Sequence, residues 1–241
     1  MTTDRESHLK HISSRFNADL SQLKQDLLEM GGLVEQQLRQ AVEALINSDV
    51  ELAREVKAGD KKVDAMELAI DEEANRVIAK RQPTASDLRL VMSVVKMVAD
   101  IERIGDEAKK IAKLTIALAE ETTSPWGRVE VRHIGNHVAV MLRDALDSFA
   151  RFDTQVALQV MREDDTVDSE YRSATRTLVT HMMEDTRNIT RCLNIMWVLR
   201  ALERVGDHAG NLAEQVIYMV EGTDVRHAPM EIAERAVEGR G

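Results

Sequence analysis

The sequence predicts an all-α protein built as two pseudo-symmetric, up-down-up three-helix bundles. Three observations carry that prediction. Long stretches place apolar residues three and four apart, only three prolines interrupt 241 residues, and the pentapeptide Glu-Arg-(Ile/Val)-Gly-Asp occurs at Glu102 to Asp106 and again at Glu203 to Asp207. Composition agrees: 44% hydrophobic and 31% charged residues with only 3% aromatic ones suit long helices packed by aliphatic side chains.

The spacing predicts six helices. The first spans Ile12 to Asn47 and the second Val50 to Lys80. Pro83, in RQPTASD, separates the second from the third, and Thr84 followed by Asp87 three residues later resembles a capping box. The third, Leu88 to Glu121, shows a stripe of Leu90, Val94, Met97, Ile101, Ile104, Ala108 and Ile111. The polar TTSPWG around Pro125 divides the halves, giving units 1–122 and 127–222. The fourth and fifth helices are Gly127 to Ala150 and Asp153 to Glu184. The sixth, Asn188 to Glu221, repeats the stripe as Ile195, Val198, Leu202, Val205, Ala209 and Leu212. Apolar periodicity fades after Gly222, so 223–241 reads as a tail free to flex.

The duplication extends beyond the pentapeptide. Asp49, Asp60 and Asp64 align with Asp153, Asp164 and Asp168 at an offset of 104, as Gly31 does with Gly135. The offset is 101 for the third and sixth helices, which places the length difference in the connection around Pro83. Glycines at Gly31, Gly32 and Gly59 cost helix stability and mark bends or close helix approach.

Charge and cysteine usage exclude several classes. A net charge of -10 argues against broad nucleic-acid binding, which needs clustered Lys and Arg. Cys192 is the only cysteine, so no intrachain disulfide forms; its place on an apolar line reads as core. MTTDRESHLKH lacks the apolar stretch of a secretory signal, and Leu88 to Ile101 is interrupted by Arg89, Lys96 and Asp100. A soluble cytoplasmic protein is expected, peripheral to a membrane only through partners.

The chemistry lies in paired carboxylates. Glu102 and Asp106, and Glu203 and Asp207, lie four apart on one helical face. The second helix adds Asp60 and Asp64 and the fifth adds Asp164 and Asp168. Helix lengths on either side of Pro83 put Asp64 and Glu102 at matching heights. Repelling carboxylates need a cation. Arg103, Arg204 and other basic side chains would supply it by salt bridges; alternatively a hard divalent or trivalent ion such as Mg, Mn or Fe, less readily Zn, would be held by oxygen. No Walker loop is present, and the one Glu-x-x-His spacing, Glu130 to His133, does not make a dimetal oxidase. No catalytic residues and no organic cofactor are expected. A carboxylate-bridged metal enzyme and a metal-independent scaffold are the alternatives to a regulator.

In order and spacing, MGGLVEQQL, AKRQPTASDLRLVM, ERIGD, MMEDTR and ERVGD closely resemble the PhoU family, accessory proteins of the bacterial phosphate-specific transport system, over about His11 to His227. The resemblance implies two pseudo-symmetric three-helix bundles. It also implies a negative regulator of the phosphate-starvation response, coupling a phosphate ABC transporter, through its ATPase subunit, to a sensor histidine kinase. Family metal motifs of the form E(D)xxxD map onto Asp60 and Asp64, Glu102 and Asp106, Asp164 and Asp168, and Glu203 and Asp207. Asp100 corresponds to Ala201, so the two sites are expected to differ in charge. A homodimer is expected as well, and an uncovered seam or an apolar patch would mark it.

Overall fold

The aspartates at Asp49 and Asp153 open helices. Each has extended backbone and a carboxylate that accepts from N–H groups of the first turn: Asp49 from Leu52, Asp153 from Gln155 and Val156. These are N-caps, and they close two matching turns. The preceding residues, Ser48 and Phe152, are left-handed (φ 54° and 57°), and the cap N–H groups reach back to Ala44 O at 2.8 Å and Ser148 O at 2.9 Å. The repeat read as a row of aligned acids is thus partly a repeat of turn chemistry.

The structure, a computed structural model, describes residues 2–119 and 127–239, without the side chains of 2–14. Its helices are α1 (Thr2–Asn47), α2 (Val50–Arg81), α3 (Ala85–Ala119), α4 (Arg128–Arg151), α5 (Thr154–Glu184), α6 (Ile189–Glu221) and α7 (Met230–Glu238), with a 3-10 turn at Thr186–Asn188. α1 begins ten residues before the expected Ile12, and α3 starts at Ala85 instead of Leu88. Thr84 directly precedes that start, and the recorded bond runs from the Asp87 N–H to the Thr84 carbonyl. The junction expected around Pro125 lies outside the described residues.

α1, α2 and α3 pack on one another, as do α4, α5 and α6, so the described residues form two up-down-up bundles. The predicted stripes are their seams: Val94, Met97, Ile101, Ile104, Ala108 and Ile111 on α3, and Val198, Leu202, Val205, Ala209 and Leu212 on α6, have no exposure. Cys192 is buried, and burial pushes its thiol above the ordinary value.

The halves join along two antiparallel helix pairs, α1 with α4 and α3 with α6. Gly31 and Gly135 make the first pair possible. A Cβ on Gly31 would stand 2.5 Å from Leu146 Cδ2, and one on Gly135 would stand 2.9 Å from Val42 Cγ1. Leu146 and Val42 occupy matching positions of the repeat, so each half inserts one side chain over the other's glycine. Close approach, not bending, accounts for these glycines.

The tail differs from expectation. α7 follows Pro229, packs on α5 and α6, and buries Ala233. A nine-residue helix presents too few turns for a long periodic signal, and its docking depends on α5, where Arg162, 72 residues earlier in the chain, pairs with Glu234 at 2.5 Å.

Candidate functional site

On α2, Asp60 and Asp64 flank Val63, which is buried against α3; on α5, Asp164 and Asp168 flank buried Val167 in the same way. Burying the valine brings the acids to the helix–helix seam. The facing glycines complete the approach. Gly105 lies between Glu102 and Asp106, and a Cβ there would touch Val63 Cγ1 at 3.4 Å. At Gly206 it would meet Val167 Cγ1 at 3.4 Å and Asp164 Oδ1 at 3.5 Å. These are ordinary van der Waals distances, so the two acid-bearing helices lie in close contact at the pentapeptide with room for no more than a methyl group.

Asp64 and Glu102 therefore share one face of the first half, and Asp168 and Glu203 share one face of the second. In the second half, burial first and then the charges of Asp207 and Asp168 raise Asp164 to about 6. Glu203 also reaches about 6, through burial and then Asp207, with smaller contributions from Asp168 and Asp164. Asp207 is raised as well, chiefly by burial. In the first half, burial and then Asp106, Glu67 and Asp64 raise Glu102.

Asp60 stands apart. Its carboxylate is almost fully buried and is held by Lys109, whose Nζ lies 2.5 Å from Asp60 Oδ2 and 3.3 Å from Asp106 Oδ1. The hydrogen bond to Asp60 is the main reason the Lys109 pKa rises. The position of α6 that matches Lys109 is Gly210, where a Cβ would lie 4.0 Å from Asp164 Cγ. The first half thus sets a lysine on its buried aspartate while Asp164 meets a glycine, although Arg172 takes Asp168 and Arg200 takes Glu203 on the same face, an asymmetry that a comparison of the acids alone does not reveal.

The structure adds one residue to the acidic faces and reassigns two others. Glu67, overlooked in the sequence, joins the first acidic face, where burial and then Asp71 and Asp64 raise its pKa; the available signal was its place one turn beyond Asp64. The matching residue in the second half is Tyr171. Asp100, expected to tune a site, instead crosses between the halves to His208 Nδ1 at 2.8 Å and Asn211 Nδ2 at 3.0 Å. Arg204 also crosses, to buried Glu107 at 2.7 Å, while Glu203 takes Arg200. Arg103 lies only 3.7 Å from Glu102 and is largely exposed.

Whether a hard cation suits these residues is answered differently in each half. Asp60 does not suit it, because an ammonium group already occupies its carboxylate. The second half suits it better: Glu203 Oε2 is buried without a hydrogen-bond partner beside Asp164 and Asp207, while Arg172 holds Asp168 and Arg200 holds the other oxygen of Glu203. In the present rotamers, no three His, Cys, Asp or Glu side chains among the described residues are gathered as a metal-binding group.

A PhoU domain model matches twice, at residues 27–115 and 131–216, so the matches start 104 residues apart and end 101 apart, the two offsets of the internal repeat. The chain belongs to the PhoU family. A Pseudomonas putida relative, the phosphate-specific transport system accessory protein PhoU homolog, is 55% identical over 98% of this chain and 92% of its own. The Escherichia coli (strain K12) accessory protein PhoU is 45% identical over 96% and 95%. Among solved structures, PhoU from Pseudomonas aeruginosa superposes with a TM-score of 0.85 at 58% identity, covering 86% of this chain and all of that one. The phosphate transport system regulatory protein PhoU from Streptococcus pneumoniae gives 0.80 at 27% identity, covering 87% and 99%. The PhoU fold is therefore shared at widely different identities.

Proposed function

We propose that this protein is a non-enzymatic regulator of phosphate transport, repressing the phosphate-starvation response when external phosphate is ample. In this reading it links the ATPase subunit of the phosphate ABC transporter to a sensor histidine kinase and biases the kinase toward its phosphatase state. The observation that carries the reading is near full-length similarity to proteins named as accessory to phosphate-specific transport. No helix among the described residues is long and apolar enough to cross a membrane, which suits attachment through partners. An adaptor must bind one state of its partners better than another to shift their equilibrium. The test is a strain lacking the gene, grown in phosphate-rich medium: expression of phosphate-scavenging genes is expected to rise, and continued silence overturns the proposal.

The metal belongs to the same proposal. Asp164, Asp168, Glu203 and Asp207 would hold a hard ion in the second half, and Asp64, Glu102 and Asp106 in the first, with Asp60 retained by Lys109. Such an ion would neutralise the clustered charge and offer coordination positions to oxygen donors of a partner. Elemental analysis of protein purified without chelator, against an Asp106→Asn/Asp207→Asn variant, checks it; equal content in both removes the metal. A metal-independent scaffold is the second reading, favoured by the Lys109–Asp60 pair, and in that case the same variant loses partner binding with no change in metal. Dimerisation is proposed too: Ile189, Leu193 and Trp197 lie along one exposed line of α6, and sedimentation equilibrium tests the pairing.

A further inference from the structure

The second half carries a cluster that the acidic faces do not include. His133 and His137 stand one turn apart on α4, and Glu163 and Glu170 stand two turns apart on α5, which packs on α4. His133 Nε2 lies 3.0 Å from Glu170 Oε1. His137 Nδ1 lies 3.2 Å from Glu170 Oε1 and 3.1 Å from Oε2, while its other nitrogen, Nε2, lies 3.1 Å from Glu163 Oε2. His137 and Glu170 are each about four-fifths buried.

A neutral imidazole has one N–H and one lone pair, yet His137 faces a carboxylate on both nitrogens, so a neutral ring satisfies only one of them. The two carboxylates carry two negative charges, balanced either by two imidazolium protons or by one divalent cation with both rings neutral. The separations between Glu170 and both rings are hydrogen-bond lengths, which hold the three side chains within reach of one another.

We propose that His133 Nε2, His137 Nδ1 and the Glu170 carboxylate form a binding site for a borderline divalent transition metal, with zinc as its probe. Glu163 takes the N–H of His137 Nε2, fixing the tautomer that turns Nδ1 toward the ion, the role an outer carboxylate plays for a metal-bound histidine. Imidazole nitrogen selects such ions over magnesium, which prefers the all-oxygen acidic faces. In the present rotamers the donors meet in pairs and not around one point. His133, whose side chain is 67% exposed, is free to swing and close the set. The cluster is independent of the duplication: the matching residues of the first half are Glu29, Leu33, Gly59 and Met66, which cannot form it. It therefore stands or falls separately from the proposed regulatory role.

The test uses the full-length protein, stripped with chelator and titrated with Zn2+ by calorimetry in millimolar Mg2+, which occupies hard oxygen sites. One zinc is expected to bind in the micromolar range, and Co2+ in its place is expected to give visible d–d absorption. His133→Gln/His137→Gln should weaken zinc binding at least about ten-fold and abolish the cobalt bands, and Glu163→Gln should weaken it about ten- to a hundred-fold. Asp164→Asn/Asp207→Asn should leave it intact. Wild-type protein that binds no zinc below millimolar concentration, or a histidine variant that binds it as before, overturns the proposal. If the double variant loses its helical circular dichroism, the single His133→Gln change, on an exposed side chain, carries the same two outcomes.

Discussion

Lys109 donates to Asp60 at 2.5 Å, and the residue in its place in the second half is Gly210, which has nothing to donate to Asp164. Two helices descended from one pattern have thereby acquired different electrostatics. One half neutralises a buried acid internally, whereas the other keeps it protonatable near neutrality.

Moving the lysine should move the property. Gly210→Lys is expected to raise the melting temperature at pH 8, because the ammonium meets Asp164 and because a glycine inside a helix costs about 1 kcal/mol relative to a residue with a side chain. It should also lower hard-metal content in the second half. Lys109→Met should destabilise by about 2 kcal/mol or more, since it leaves Asp60 buried without its cation. Thermal unfolding and elemental analysis read both effects.

Asp164 and Glu203 make stability fall as pH rises. Their folded values, about 6, lie above the ordinary 3.8 and 4.5. The stability they contribute is therefore complete below those ordinary values and is lost as pH climbs through 6. With solvent screening taken into account, the loss is on the order of 1 kcal/mol. Denaturant titrations at pH 5 and pH 8 should differ in this direction for the wild type and differ less for Asp164→Asn/Glu203→Gln.

The glycine pair at the α1–α4 contact gives a controlled comparison. Gly31→Ala forces a methyl onto Leu146 and should cost about 1–3 kcal/mol. Gly32→Ala, with nothing within 4 Å of its Cβ, should stabilise by about 1 kcal/mol through helix propensity alone. Urea unfolding of the two adjacent substitutions measures packing against propensity. A neutral Gly31→Ala would mean that Leu146 yields without cost.

Asp100 and His208 should behave as one unit across the halves. A double-mutant cycle with Asp100→Asn and His208→Gln is expected to give a coupling energy of about 1 kcal/mol, read from chemical denaturation near pH 6. Additive effects would show that the contact contributes nothing to holding α3 on α6.

The legible part of the molecule was what local periodicity and repetition encode. The buried stripe from Val94 to Ile111, the paired acids at Glu102 and Asp106, and the break at Pro83 each report on their own helix, and spacing along one helix fixes which side chains share a face. Matching lengths around Pro83 were enough to put Asp64 beside Glu102. Partners from distant segments were not legible. Glu170 beside His133 and His137, Lys109 on Asp60, and Asp100 on His208 depend on the rotation and depth at which helices meet.

By itself, the sequence determined that this chain is a duplicated set of long helices with acidic pairs at corresponding heights, because helix period, capping and repeat are properties of neighbouring residues. Only the tertiary structure decided that the two acidic faces are unequal, that glycines set the closeness of α1 and α4, and that the residues after Gly222 dock as α7. Those outcomes rest on contacts between residues far apart in the chain, and such contacts form only where packing brings particular side chains within a few ångströms.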